Sequence, residues 1–296
     1  MKIIIFILFT SLLSAGERAD RVHEKISKEI TSFATTIDQF FANKKTLNYE
    51  NRTRLRIFTD TFFRESKKPL THGNINFQLI LPGTEKRFQL IIESKEEDQD
   101  SKNVPTAGTD KSVNTNTKAG VRYLFKTPNI KTTLSTGILF RGVEPQLFTR
   151  LRFRKNFILK SWLFNPEQEI EYITNEGVST TTELDFDKKI NDSFLFRFVN
   201  NATWNNTDFE INFSNGPSLF HIINERIAIS YNARFISSDA PELAVNDYSL
   251  SFGFRQLLYS EWFFWTFSPA LNFPREEDFR RVPSLSVRFE VILGHI

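Results

Sequence analysis

From residue 46 to the end of the chain, apolar side chains recur at every second position, in set after set. Tyr49, Thr53, Leu55, Ile57 and Phe63 share one parity, and Ile75, Phe77, Leu79 and Leu81 share the next. Phe194, Phe196 and Phe198 continue the pattern, which ends in Leu285, Val287, Phe289, Val291 and Leu293. A side-chain period of two belongs to β-strands, whose alternate residues face opposite sides. About fourteen such sets can be marked off, with twelve or sixteen as alternatives, and even counts are the rule for bacterial single-chain barrels.

The residues between the apolar ones narrow the choice of architecture. In LNYENRTRLRIFTDTFF, Arg52, Arg54 and Arg56 occupy every second position opposite Thr53, Leu55 and Ile57. A soluble sheet with its apolar side on a core reads this way, and so does a membrane barrel with its apolar side on lipid. The connections favour the barrel. Short links (82–85, 126–130, 155–156, 188–192, 224–226, 259–261) alternate with longer or more polar ones (66–72, 94–116, 142–145, 174–178, 205–207, 237–246, 274–283). Short turns at one end and longer loops at the other predict an all-β, up-and-down transmembrane barrel.

Composition agrees. Mean hydropathy is −0.32, too polar for a helical membrane protein, yet the chain holds 32 Phe. A net charge of +3 gives no reason to expect a nucleic-acid partner, and the absence of Cys excludes disulfides and thiolate chemistry. No metal-ligand pattern and no cofactor motif stands out. Glu96, Glu97, Asp98 and Asp100 fall in the polar stretch Ser94–Asn116, which reads as a solvated loop.

The N-terminus, KIIIFILFTSLLSAG, has a positive start, a short apolar run and small residues where a signal peptidase cuts. Residues 1–16 are therefore expected to be a signal peptide. Over 17–45, Val22, Ile26, Ile30, Phe33, Ile37 and Phe41 follow spacings of three and four, which predicts an amphipathic helix in the periplasm. Its stripe docks on the rest of the fold, or serves as a plug or as an arm for a periplasmic partner. Residues 46–296 are the expected barrel, placed in the bacterial outer membrane among outer-membrane lipid and lipopolysaccharide and inserted by outer-membrane assembly machinery.

Parity then assigns the charges. A lipid-facing Arg costs about 2–4 kcal/mol at the bilayer midplane, so three would cost roughly 6–12 kcal/mol, comparable to a whole domain's stability. Arg52, Arg54 and Arg56 must face the lumen, as must Arg150, Arg152 and Arg288. Inward acids concentrate on two neighbouring strands, with Glu169, Glu183 and Asp185 at their centre. Barrel closure brings Arg288 near the first arginine stripe and leaves the acids across the lumen. Opposed charged walls orient and filter small polar, especially anionic, solutes in an open or gated pore. The alternative is that the same charges pair and fill a closed structural or partner-docking barrel. An outer-membrane hydrolase ranks last. His221, read on the inward parity with Ser218 nearby, assembles no Ser–His–acid constellation, so no catalytic residue is expected.

Several strings carry a resemblance: IDQFFANKKTLNYENRTRLRIF, TTELDFDKKI, NDYSLSFGFRQ and WFFWTFSPALNFPREEDFRRVPSLSVRFEV, with FPREEDF (273–279) the most specific. Over about Ile37–Leu293 the chain resembles a family of uncharacterised proteobacterial outer-membrane β-barrel proteins. The resemblance implies a signal peptide, a short helix and a barrel, and no activity. One departure is the terminus FEVILGHI, which ends on Ile296 where such barrels commonly carry an aromatic residue.

Overall fold

The structure, a computed structural model, describes residues 17–41, 53–65, 67–81, 87–96, 115–125, 127, 130–141, 144–207 and 209–294. The expected signal segment 1–16, Arg52 and most of the polar 94–116 stretch lie outside the described residues. Helix α1 (Glu17–Phe40) precedes the strands β1 (Arg54–Arg64), β2 (Leu70–Ile80), β3 (Phe88–Glu96), β4 (Thr115–Phe125) and β5 (Lys131–Arg141). Then come β6 (Glu144–Arg154), β7 (Phe157–Leu159), β8 (Trp162–Ile173), β9 (Gly177–Lys189) and β10 (Phe194–Asn205). The chain ends with β11 (Ile211–Asn224), β12 (Ile227–Ser238), β13 (Ala244–Tyr259), β14 (Phe263–Pro274) and β15 (Val282–Leu293).

Every strand pairs antiparallel with its chain neighbour, except that β6 pairs with β8 and β15 returns to β1. The short β7 touches only the start of β8, with Phe157 opposite Phe164. Among the described residues the ring is therefore a closed barrel of fourteen strands. The closing seam sets Asp60 opposite Arg288, Phe58 opposite Glu290 and Arg56 opposite Ile292.

Burial is inverted relative to a water-soluble protein. Inward side chains are polar and enclosed, with Asp60, Arg122, Arg255 and Glu290 no more than 2% exposed. Outward ones are apolar and open, as at Leu147 (64%) and Leu250 (53%). A closed ring satisfies every ladder hydrogen bond without water, and its apolar exterior suits acyl chains. No described helix is long and apolar enough to cross a membrane; the crossing is made by strands.

Loop lengths do not alternate as expected. Links 142–143 and 174–176 are short at the end that should carry loops, while 81–87 and 155–161 are longer at the end that should carry turns. The 155–161 link is extended because β7 folds back on β8, and 94–116 is shortened because β3 runs to Glu96 and β4 starts at Thr115. Pairing order, not loop length, is what identifies the barrel.

At β11, Pro217 supplies no N–H and Gly216 has φ +152°, with the carbonyl of Ala233 2.1 Å from where its Cβ would lie. The ladder to β12 skips these two residues, from Asn215–Phe235 to Ser218–Asn232. Arg234 fills the break: its Nη1 donates to the carbonyls of Gly216, Pro217 and Ala233, and its Nη2 to Ser218 Oγ at 2.7 Å.

Because outward positions meet lipid, Leu250→Arg should lower the folding free energy into lipid vesicles by about 2–4 kcal/mol, read by reversible urea unfolding. A loss below about 0.5 kcal/mol would place Leu250 off the lipid face.

Candidate functional site

The lumen holds three groups of charges, in each of which every cation has a carboxylate beside it. At the seam, Glu290 accepts from Arg56 and forms an ion pair with Arg255 at 2.6 Å, while Arg288 binds both oxygens of Asp60. The guanidiniums of Arg56 and Arg288 lie 4.5 and 4.6 Å from the ring centre of Phe58. On the β3–β8 wall, Arg150 reaches Glu171 at 2.8 Å and Glu93 at 2.9 Å. Lys118 also binds Glu171, Arg122 binds Glu93, and Arg152 binds Glu169 and Glu167. At β9–β10, Arg197 holds Asp187 at 2.6 and 2.8 Å. Charges removed from water need partners with good geometry, and these pairs supply them.

The β11–β15 side is different. It presents short polar side chains, including Ser218, Ser230, Asn232, Ser249, Asn272 and Ser286, joined in bonds such as Ser218–Asn232 (2.8 Å) and Asn272–Ser284 (2.8 Å). The long charged groups thus dominate β3–β10, while on β11–β15 hydroxyls and amides are interspersed with Arg234, Arg255, Arg288 and Glu290.

Helix α1 enters this lumen. Ile30, Ala34, Ile37 and Phe41 are buried against Leu163, Leu195, Phe220 and Ala228. These four wall residues are inward, since Leu163 pairs with Asp187, Leu195 with Phe220, and Ala228 with Arg255. All lie near strand ends at the mouth where the barrel chain enters and leaves. Phe41 meets Phe220 at 5.3 Å between ring centres, and Phe40 meets Phe264 at 6.0 Å. Asp38, 4% exposed, binds Arg197 at 2.7 Å.

Of the residues singled out from sequence, Arg52 lies outside the described part and Arg54 is half-buried at the start of β1. Arg56, Arg150, Arg152 and Asp185 are buried on the inward face. Glu169 pairs with Arg152, Glu183 accepts from Asn201 at 3.3 Å, and Arg288 is half-buried on Asp60. Strand β9 does stand opposite β1, seven strands away in either direction. Two expectations fail. Arg150 and Arg152 do not face the acids across the lumen, because β6 closes onto β8 and makes Glu171 and Glu169 their immediate partners. The acids are not segregated either: Asp60, Glu93 and Glu290, missed in the sequence, share the inward parity of the nearby bases and pair with them.

The inward placement of His221 is also overturned. It pairs with Phe194 and stacks on it at 4.1 Å, on the outer face, whereas Ser218 faces inward. Strand β11 is continuous from Ile211 to Asn224, so the outward parity of Ile211 carries through to His221. Ser218 and His221 lie on opposite faces and form no catalytic pair.

No protein-family model and no curated protein matches the chain. Solved structures do. The CymD monoaromatic hydrocarbon channel aligns with 87% of this chain and 92% of its own at 10% identity and TM-score 0.53. A bacterial polysaccharide outer membrane secretin aligns with 83% and 99% at 12% identity and TM-score 0.50. OmpT of Vibrio cholerae aligns with 82% and 98% at 7% identity and TM-score 0.45. With the first two the chain shares the fold, that of bacterial outer-membrane β-barrels.

Removing one member of a buried ion pair strands the other. Glu290→Ala leaves both Arg56 and Arg255 without their carboxylate, and should cost about 3–5 kcal/mol in urea unfolding from vesicles. A neutral outcome would mean that water reaches the seam.

Proposed function

We propose that this protein is a gated channel for small polar solutes, anions included, across the bacterial outer membrane. The observation that carries the reading is the seating of α1. The mouth that takes in the last turns of α1, from Ile30 to Phe41, admits a helix about 10 Å across, and much of the inner wall beyond it is polar. The pore-lining residues in this reading are Arg52, Arg54, Arg56, Arg150, Arg152 and Arg288, with Glu169, Glu183 and Asp185. Their fields are those of matched pairs, so anion preference is weaker than an unpaired arginine stripe would give.

A second reading has its own support. Inward residues on both sides of the ring, such as Arg122 and Asn272, are at most 1% exposed, which favours a closed structural or partner-docking barrel without conductance. The chemistry proposed in either case is binding and passage, not catalysis. On the strings quoted above, we also infer membership of the proteobacterial outer-membrane barrel family that they resemble. Lipopolysaccharide as the surrounding lipid, and insertion by the outer-membrane assembly machinery, belong to the same proposal.

Purified folded protein in planar bilayers separates the readings. A channel gives stepwise currents whose anion preference falls or inverts on Arg54→Glu, whereas a flat trace under all voltages supports the closed barrel.

A further inference from the structure

The last turn of α1 is built against the usual preference. The carbonyls at a helix C-terminus lack intrahelical partners and carry roughly half a negative charge, so Lys and Arg are favoured there. α1 has no basic residue in that turn and places Asp38 in it instead. The barrel provides the missing bases from outside the helix. Arg197 of β10 binds the Asp38 carboxylate at 2.7 Å, and Arg255 of β13 donates from Nε to the Phe40 carbonyl at 2.6 Å.

Both arginines are doubly engaged. Arg197 also holds Asp187, and Arg255 also holds Glu290 and donates to Thr266 Oγ1 at 3.1 Å. If α1 withdraws, neither guanidinium is left buried without a carboxylate. Each of these two arginines keeps a wall carboxylate with the helix in place and without it. On the helix side, withdrawal returns Asp38 to water, where a carboxylate is well solvated, and frees the Phe40 carbonyl. The contacts that hold α1 in place include the two latch bonds, the apolar contact of Ile30, Ala34, Ile37 and Phe41, and Lys189 over the ring of Phe33.

We propose that α1 is a releasable plug, latched by Asp38 on Arg197 and by the Phe40 carbonyl on Arg255, and that its last turn is stable as helix only while seated. The closed state is then coupled to the order of that turn, and release leaves a polar lumen whose ion pairs stay intact. The inference rests on the channel reading for its consequence, but not for its test.

The chain contains no Cys, so a single one reports on the seat. Ala228, fully buried beneath α1, is replaced in the full-length protein by Ala228→Cys and labelled with a membrane-impermeant maleimide in vesicles. Labelling should be slow with Asp38 and with Asp38→Glu, intermediate with Asp38→Asn, and at least about tenfold faster with Asp38→Lys. Circular dichroism confirms that each barrel is folded, and Ile37→Ala, which weakens only the apolar contact, should also speed labelling. Currents are recorded on the same samples. Faster labelling with larger currents supports plug and channel together. Faster labelling with no current in any variant keeps the plug and overturns the channel. Labelling that is equally slow in Asp38→Lys, Asp38→Asn and Ile37→Ala overturns the plug, whatever the current.

Discussion

A guanidinium here can neither face lipid nor stay alone inside, and that double constraint organises the barrel. The bilayer penalises it on the outer face by a few kcal/mol, and burial penalises it within unless a carboxylate is at hand. The result is a lumen whose arginines are handed from acid to acid: Arg56 and Arg255 share Glu290, and Arg150 spans Glu93, Glu169 and Glu171. Arg234 meets the same constraint with backbone carbonyls freed by Pro217, so a charge that looks like pore lining is also part of the wall.

The same economy explains the helix. In the lumen, α1 is not a separate domain with its own core; its apolar stripe is completed by Leu163, Leu195, Phe220 and Ala228. An amphipathic helix needs another surface to hide its stripe, and short helices are marginal without one. Here that surface is the inside of a membrane protein, a largely polar place made apolar at the mouth where α1 sits and again at Ile91, Leu139, Phe148 and Ile173.

Much of this was legible. Period-two parity placed Arg56, Arg150 and Arg152 inward, because alternation is a local property that a sequence displays directly. Strand number followed from the same count. Pairing partners were less legible, since they depend on which strands meet. Placing Arg150 beside Glu171 requires knowing that β6 skips β7 and bonds to β8. Asp60 and Glu290 carry a usable signal, the same parity as Arg56 and Arg288, but as single acids they stand out less than the dense acidic run at 167–187. The seat of α1 was written as apolar residues on the wrong parity, Leu163, Leu195 and Phe220, at the ends of strands. Those look like noise until a helix is found above them.

The seam between first and last strands carries one more implication, for how the ring shuts. A slip that preserves the inside–outside pattern must move β15 by two residues. In one direction it would set Asp60 against Glu290, and in the other against Ser286, instead of against Arg288. Either error leaves a carboxylate enclosed without its directly opposed cation. Closure is therefore self-checking: β15 meets in β1 a template that favours one alignment, and shifted or intermolecular joins carry an electrostatic penalty before the cylinder is complete.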